Sequence, residues 1–369
     1  MLEAINKSSA ERPHLHLIAD MGFADSFALR LKQLGLDGRN HMILVGKSPN
    51  EVKAKLPFQY TNLKDDNTPD PSAYDKIFVH FLLPMVTHWL KQHPRVRFHW
   101  VFYGADVYRN PLVKYNPYAP LTWRYLNTHT SGWLRHIGYH LLHRRAWKKA
   151  LEQVSTVLLL NPIEFNLIRK LIPIPQARHE PFFYGKAQMD FDSSDQPRSR
   201  EFRSDSHYNV QLGHCAFPSV NHLDFLTEIA PSEQVDWHLP LSYGDAAYAK
   251  WLQNKLHHRR DVRFIMDLMP IEDYLQHIGK MDAGIFPNIR QQGLANIGTF
   301  ILKEIPVFMH PENPSYAYFK SLGLELGTTD RFSIPEIERL AKLAEKNRQT
   351  FLQDAGQDAC NTHYTRIFS

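Results

Sequence analysis

The chain has 369 residues, 43% of them hydrophobic, and a formal net charge of +5, which allows two domains of ordinary size and excludes a disordered chain. Its two cysteines, Cys215 and Cys360, exclude a disulfide framework and fit a reducing cytoplasm. The polar start, MLEAINKSSAERP, lacks the apolar core of a signal peptide, and the most apolar run, Ile77 to Val86, is too short to span a bilayer, so a soluble or peripheral protein is expected.

In chain order, short apolar runs alternate with helical patterns, the signature of βα units around a parallel sheet. Strands are predicted at His14–Asp20, His41–Gly46, Lys76–Leu82, Arg97–Gly104 and Thr156–Asn161. Between the first two, Phe23–Gly35 places apolar residues at helical spacing and closes on a glycine. From Val107 to Leu151 there is no Asp or Glu. The same window carries Arg109, Lys114, Arg124, Arg135, Arg144, Arg145, Lys148 and Lys149, interleaved with aromatic residues that include Trp133, Tyr139 and Trp147. Such a segment suits an anionic partner with an apolar side. His136, His140 and His143 fall on one helical face there, as metal ligands would, but no carboxylate lies near them in sequence and a packing or interfacial role is the favoured reading.

Residues 186–207 are polar, rich in Ser, Asp and Arg, and read as a linker between a domain at 1–185 and a second at 208–330. Strands of the second domain are predicted in YNVQLGH, VDWHLPLS, VRFIMD, AGIFPN and VFMH, and residues 331–369 are expected to be helical, with IPEIERLAKLAEKNRQTFLQ as one amphipathic helix. Two such domains leave an interdomain cleft, and open parallel sheets bind ligands beyond the carboxyl ends of their strands.

The residues that follow the strands are therefore the informative ones. They are Gly104, Ala105 and Asp106 after the fourth strand; Gly213, His214, Ser219 and His222 after YNVQL; Ser242, Tyr243 and Gly244 after VDWHLP; and Arg290, Gln291, Gln292, Gly293 and Asn296 after AGIFPN. Glycines let backbone N–H groups approach an anion, a helix start adds partial positive charge, and arginine supplies a fixed charge with forked donors. No dinucleotide fingerprint or phosphate loop is present, which argues against NAD or ATP chemistry. On the residues alone the chain is a nucleotide-binding two-domain protein of undefined reaction.

The segment IRQQGLANIGTFILKEIPVFMHPENPSYAYF closely resembles the 4-alpha-L-fucosyltransferase family, glycosyltransferase family 56. FHWVFYGADVY, LGHCAFPSVNH and PLSYG resemble further elements of that family in the same order, so the likeness runs from about Phe98 to Leu322. The resemblance implies an α/β chain of the GT-B fold, two Rossmann-like domains facing a cleft, with the nucleotide-sugar in the C-terminal one. It implies transfer of a deoxyamino sugar, Fuc4NAc-like, from a dTDP-sugar to a polyprenyl-diphosphate-linked saccharide in enterobacterial common antigen synthesis, at the cytoplasmic face of the bacterial inner membrane. Carried over by position, the donor site comprises Gly213, Ser219, His222, Ser242, Tyr243, Gly244, Arg290, Gln291, Gln292, Gly293 and Asn296, and Asp106 is the acidic residue at the cleft. The chain departs from the family pattern at His214-Cys215, where Asn-Ser is usual, and at Ala295, where Gly is usual.

No cofactor and no metal are expected, because no DxD motif outside linker-like segments is present and Arg290 with a helix start can stabilise the leaving diphosphate. Asp106 is the first candidate base for the acceptor hydroxyl and His80 the second. Trp133, Tyr139, Arg144, Arg145, Trp147, Lys148 and Lys149 are expected to meet an anionic membrane surface or the lipid-linked acceptor. A nucleotide-sugar epimerase on the same scaffold is the alternative. Nucleic-acid binding, raised only by charge and aromatics, leaves the strand-end residues unexplained and is not expected.

Overall fold

The computed structural model describes residues 12–19, 23–46, 54–63, 68–110, 112–129, 133–184 and 207–369, without the side chains of residues 129, 133–136 and 139. The chain forms two compact units. Unit 1 comprises Met1–Val113, Gly138–Gln188 and Cys360–Ser369, and unit 2 comprises Lys114–Ile137 and Met189–Ala359. The segment read as a linker, 186–207, lies outside the described residues except for His207.

These units cut across the continuous boundaries drawn from sequence, for reasons visible in the packing. The helix Pro120–His129 is fixed in unit 2 by the Asp224 carboxylate, which accepts from Leu121 N–H at 2.7 Å, Thr122 N–H at 3.0 Å and the Thr122 hydroxyl at 2.6 Å. Tyr125 of the same helix lies 4.4 Å from the Trp251 ring. The terminal helix Gln357–Phe368 instead buries Tyr364, Ile367 and Phe368 in the core of unit 1, with the Phe368 ring 5.0 Å from Phe78 and 5.2 Å from Phe27.

In unit 1 the strands are β1 (His14–Ala19), β2 (Asn40–Val45), β3 (Gln59–Thr61), β4 (Ile77–His80), β5 (Phe98–Val101), β6 (Val154–Leu158) and β7 (Arg178–Glu180). They pair in parallel in the order β3-β2-β1-β4-β5-β6-β7. β1 and β4 are buried along their whole length, as strands covered on both faces must be. That burial includes His16, which is satisfied by His80 Nε2 at 3.0 Å and Asn40 Oδ1 at 2.8 Å. Burial pushes the His16 pKa down to about 3, so the ring is neutral.

Unit 2 has β8 (Tyr208–Leu212), β9 (Val235–Pro240), β10 (Val262–Ile265), β11 (Ala283–Phe286), β12 (Val307–Met309) and β13 (Gly327–Thr328), parallel in the order β10-β9-β8-β11-β12-β13. The order reverses between β8 and β11, so the crevice at which such sheets take ligands lies beyond the ends of those two strands. In unit 1 the same reversal lies between β1 and β4.

The ten predicted strands are present, shortened at their carboxyl ends where the chain turns. Three edge strands, β3, β7 and β13, went unread because two or three residues are too few to show a period. The single helix expected from Ile334 is two, Ile334–Ala341 and Ala344–Ala355, because the chain turns at Lys342-Leu343 without losing its apolar spacing.

Candidate active site

In unit 2 the loop after β8 opens with Gly213, which crosses directly over His222: a side-chain carbon at Gly213 would lie 2.7 Å from His222 Nε2. His222 is fully buried, 3.4 Å from the Tyr248 hydroxyl, and burial pushes its pKa to about 3. It supports the loop from beneath. His214, one residue past Gly213, is also buried and neutral, its pKa lowered to about 3 by burial first and the Arg290 charge second.

The loop after β11 meets this one. Ser219 Oγ donates to Gln292 Oε1 at 2.7 Å, and Arg290 Nη2 donates to Ser219 Oγ at 3.4 Å. Gln292 Nε2 lies 3.4 Å from both His214 Nε2 and Cys215 Sγ. Burial raises the Cys215 thiol to about 11, so it is a neutral packing group. Gly293, at φ +71, hands the chain into the helix Leu294–Leu302, and a side-chain carbon there would sit 2.7 Å from His214 Cε1. Only glycine satisfies both the backbone angle and the ring contact. Arg290 is 6% exposed, and the helix beyond Gly293 presents the first-turn N–H groups that every helix start leaves unpaired.

The LSYG loop is zipped to the β8 loop. Gly244, at φ +122, bridges Ala216 in parallel, and Ala216 N–H donates to the Tyr243 carbonyl at 2.8 Å. A side-chain carbon at Gly244 would lie 2.8 Å from the Ala216 backbone. Tyr243 stands on this rim 46% exposed, and Ser242 is half-buried beside it. Asn296, in the first turn of the helix, accepts from the Tyr274 hydroxyl at 2.6 Å, and Gln291 Oε1 accepts from Ser315 Oγ at 3.1 Å.

The structure thus gathers Ser219, Arg290, Gln292, Gly293 and His214 at the strand-order reversal, with Tyr243 and Gly244 adjoining through Ala216. His222 lies beneath Gly213, with its Nε2 buried and without a hydrogen-bond partner among the described residues. Two residues missed in sequence hold the assembly: Asn288 Nδ2 donates to the Arg290 carbonyl at 2.8 Å, and Asn313 Nδ2 donates to the carbonyls of Asn288 at 2.7 Å and Arg290 at 3.0 Å. Asn288 was visible at the end of AGIFPN, whereas Asn313 comes from the loop after β12 and carried no local signal. His214 Nδ1, Asn288 Oδ1 and Gln211 Oε1 are buried here without hydrogen-bond partners among the described residues, a pattern that suits a polar ligand.

In unit 1, β5 runs through Phe102 and Tyr103 into the turn Gly104, then the short helix Ala105–Tyr108. Asp106 is 8% exposed, and its Oδ2 accepts from Trp100 Nε1 at 2.8 Å and from Leu82 N–H at 3.3 Å. Its Oδ1 is buried without a hydrogen-bond partner among the described residues. Burial raises the carboxyl pKa to about 6, against the opposing hydrogen bonds from Leu82 and Trp100. His80, expected near a cleft, lies inside the core instead. It is fully buried at the end of β4, bonded to His16 and the Tyr184 hydroxyl and packed 4.8 Å from Phe27, and burial holds its pKa well below the usual histidine value.

A family model of 4-alpha-L-fucosyltransferases, glycosyl transferase group 56, matches residues 139–352, more than half of the chain. The chain belongs to this family. HepE from Anabaena, solved in complex with UDP and glucose, is similar in structure with a TM-score of 0.61 at 12% identity, over 96% of this chain and 99% of that one. Sucrose-phosphate synthase from Thermosynechococcus elongatus gives 0.60 at 13% identity, over 97% and 98%. A glycosyltransferase from Rickettsia africae gives 0.58 at 10% identity, over 97% and 98%. Comparison with curated proteins gave no match.

This member of the fucosyltransferase family is a glycosyltransferase of the GT-B fold, with a Rossmann-like sheet in each unit. Family membership sets the epimerase alternative aside. The matched region contains the whole unit 2 rim and excludes Asp106. Its first residues lie in the helix Trp133–Glu152, where Arg144, Arg145, Lys148 and Lys149 are exposed and Leu142 is 77% exposed. Trp147 is half-buried, and the side chains of Trp133 and Tyr139 lie outside the described ones. In the histidine stripe His143 Nδ1 lies 2.9 Å from His88 Nε2 and the side chain of His136 lies outside the described ones; no group of three or more ligating side chains occurs among the described residues. No helix among them is long and apolar enough to cross a membrane.

Proposed function

We propose that the unit 2 rim binds a nucleoside diphosphate sugar, with the diphosphate against Arg290 and the start of the helix Leu294–Leu302. One observation carries this: a buried arginine, a serine, a glutamine and a helix N-terminus converge at the strand-order reversal beyond β8 and β11. The leaving diphosphate gains negative charge as the glycosidic bond breaks, and preorganised donors in a dry site stabilise it without rearranging. The UDP and glucose held by HepE support a nucleotide and a sugar as the ligand classes.

In the finer reading the donor is a dTDP-linked deoxyamino sugar and the acceptor a polyprenyl-diphosphate-linked saccharide. The acceptor hydroxyl oxygen attacks the anomeric carbon, the bond to the diphosphate oxygen breaks, and Asp106 takes the hydroxyl proton. A carboxyl titrating near 6 is mostly ionised at neutral pH and still basic enough to accept that proton. The family resemblance supports the donor and acceptor classes.

Thermal shift with dTDP, UDP, GDP and ADP tests the donor reading. dTDP is expected to give the largest stabilisation, about 3 kcal/mol at a hundredfold excess over Kd. No response to any of the four would remove the nucleotide site.

The exposed basic helix supports peripheral attachment to an anionic membrane at its cytoplasmic face. Co-sedimentation with phosphatidylglycerol vesicles is expected at low salt and lost at high salt. Equal recovery with purely zwitterionic vesicles would contradict an electrostatic attachment.

A further inference from the structure

Four aromatic rings stand at the carboxyl ends of four strands of unit 1. Phe23 opens the helix after β1, Phe81 follows β4, Tyr103 follows β5 and Tyr184 follows β7. Phe23 lies 5.6 Å from Tyr103 and 5.8 Å from Tyr184, Tyr103 lies 5.3 Å from Tyr184, and Phe81 lies 6.2 Å from Tyr103. Phe23 is 45% exposed and the other three are half-buried. The cluster therefore keeps an open aromatic surface at the end of the sheet where ligands bind, although its other faces are packed.

The turn after β4 ties this surface to Asp106. Phe81 has φ +74, a backbone state that is strained for a bulky residue and persists only where the surroundings enforce it. The next residue, Leu82, gives its N–H to Asp106 Oδ2. One strained turn thus places an aromatic ring and anchors the carboxylate, while Tyr103 lies three residues before Asp106, just ahead of the Gly104 turn into its helix.

We infer that Phe23, Phe81, Tyr103 and Tyr184 form a platform that stacks the apolar face of a pyranose ring of the acceptor, presenting one of its hydroxyls to Asp106. This rests on Asp106 being the base in the proposed function. A pyranose has a face of axial C–H bonds that packs on aromatic rings and a rim of hydroxyls that hydrogen-bonds, so it matches a ring cluster beside which the Tyr103 hydroxyl and Asp106 Oδ1 lie buried without hydrogen-bond partners among the described residues, the Tyr184 hydroxyl being bonded to His80. An alkyl chain matches the rings but leaves those two polar atoms unpaired.

Saturation-transfer NMR on the full chain tests the platform, with methyl β-D-glucopyranoside and methyl N-acetyl-β-D-glucosaminide as probes and hexan-1-ol as the alkyl control. Saturation is expected mainly on H1, H3 and H5, which share one face of these sugars. Phe23→Ala is expected to weaken the interaction about tenfold, Phe23→Trp to retain it, and both variants to keep the wild-type thermal response to dTDP. No transfer to either sugar, equal transfer in Phe23→Ala, or transfer to hexan-1-ol in preference to both sugars would overturn the proposal. Sugar stacking in a protein that ignores dTDP would sink the donor reading alone. A dTDP response without stacking would sink the platform alone.

Discussion

Replacing Asp106 by asparagine is expected to lower kcat by roughly 10²–10⁴-fold, the usual worth of a positioned general base, while dTDP binding stays at its wild-type value. The asparagine oxygen can still accept from Trp100 Nε1 and Leu82 N–H, while its amide nitrogen takes the place of Oδ1, which is buried without a hydrogen-bond partner among the described residues. It also carries a stability signature. The folded carboxyl titrates near 6 against 3.8 for the free group, so the native state holds its proton more tightly than the unfolded chain. The corresponding stability is fully present below about 3.8 and is lost as pH rises through about 6. Across that window the wild type loses about 3 kcal/mol from this group and Asp106→Asn loses none. In urea denaturation the variant should therefore gain on the wild type between pH 4 and pH 7.5. Wild-type turnover should rise with pH through about 6 and then level. A variant with unchanged turnover would remove Asp106 from the chemistry.

What is legible in the sequence depends on the range of each interaction. Glycine after a strand, arginine before a helix and the alternation of apolar runs are local signals, and they located Gly213, Arg290, Gln292 and Gly293 on the unit 2 rim. Local signals do not say which side of a loop a residue faces. His222 and His80 follow or end strands as ligand-binding residues do, yet one lies under Gly213 and the other inside the aromatic core of unit 1. The transfer of Lys114–Ile137 to unit 2 depends on an Asp224 carboxylate about a hundred residues away in sequence, and the Arg290 loop depends on Asn313 from the next βα unit. Hydrogen bonds of that span leave no pattern within a window of a helix or a strand.

Arg290→Gln is expected to weaken dTDP binding by about 10–100-fold, since a charge-assisted hydrogen bond contributes about 1.5–3 kcal/mol. Thymidine, which lacks the diphosphate, should bind wild type and variant alike. Arg290→Lys should recover part of the loss, because it keeps the charge but not the planar fork that reaches Ser219. Titration calorimetry in low and high salt reads both effects. Equal dTDP affinity in the wild type and Arg290→Gln would place the diphosphate elsewhere.

A crystal structure of the protein soaked with dTDP tests whether the rim beyond β8 and β11 holds the donor diphosphate. Phosphate oxygens are expected within hydrogen-bond distance of the Arg290 guanidinium and of the N–H groups at the start of the helix Leu294–Leu302. Electron density for the diphosphate on any other surface, with Arg290 still turned to Ser219 and Gln291, would contradict that placement.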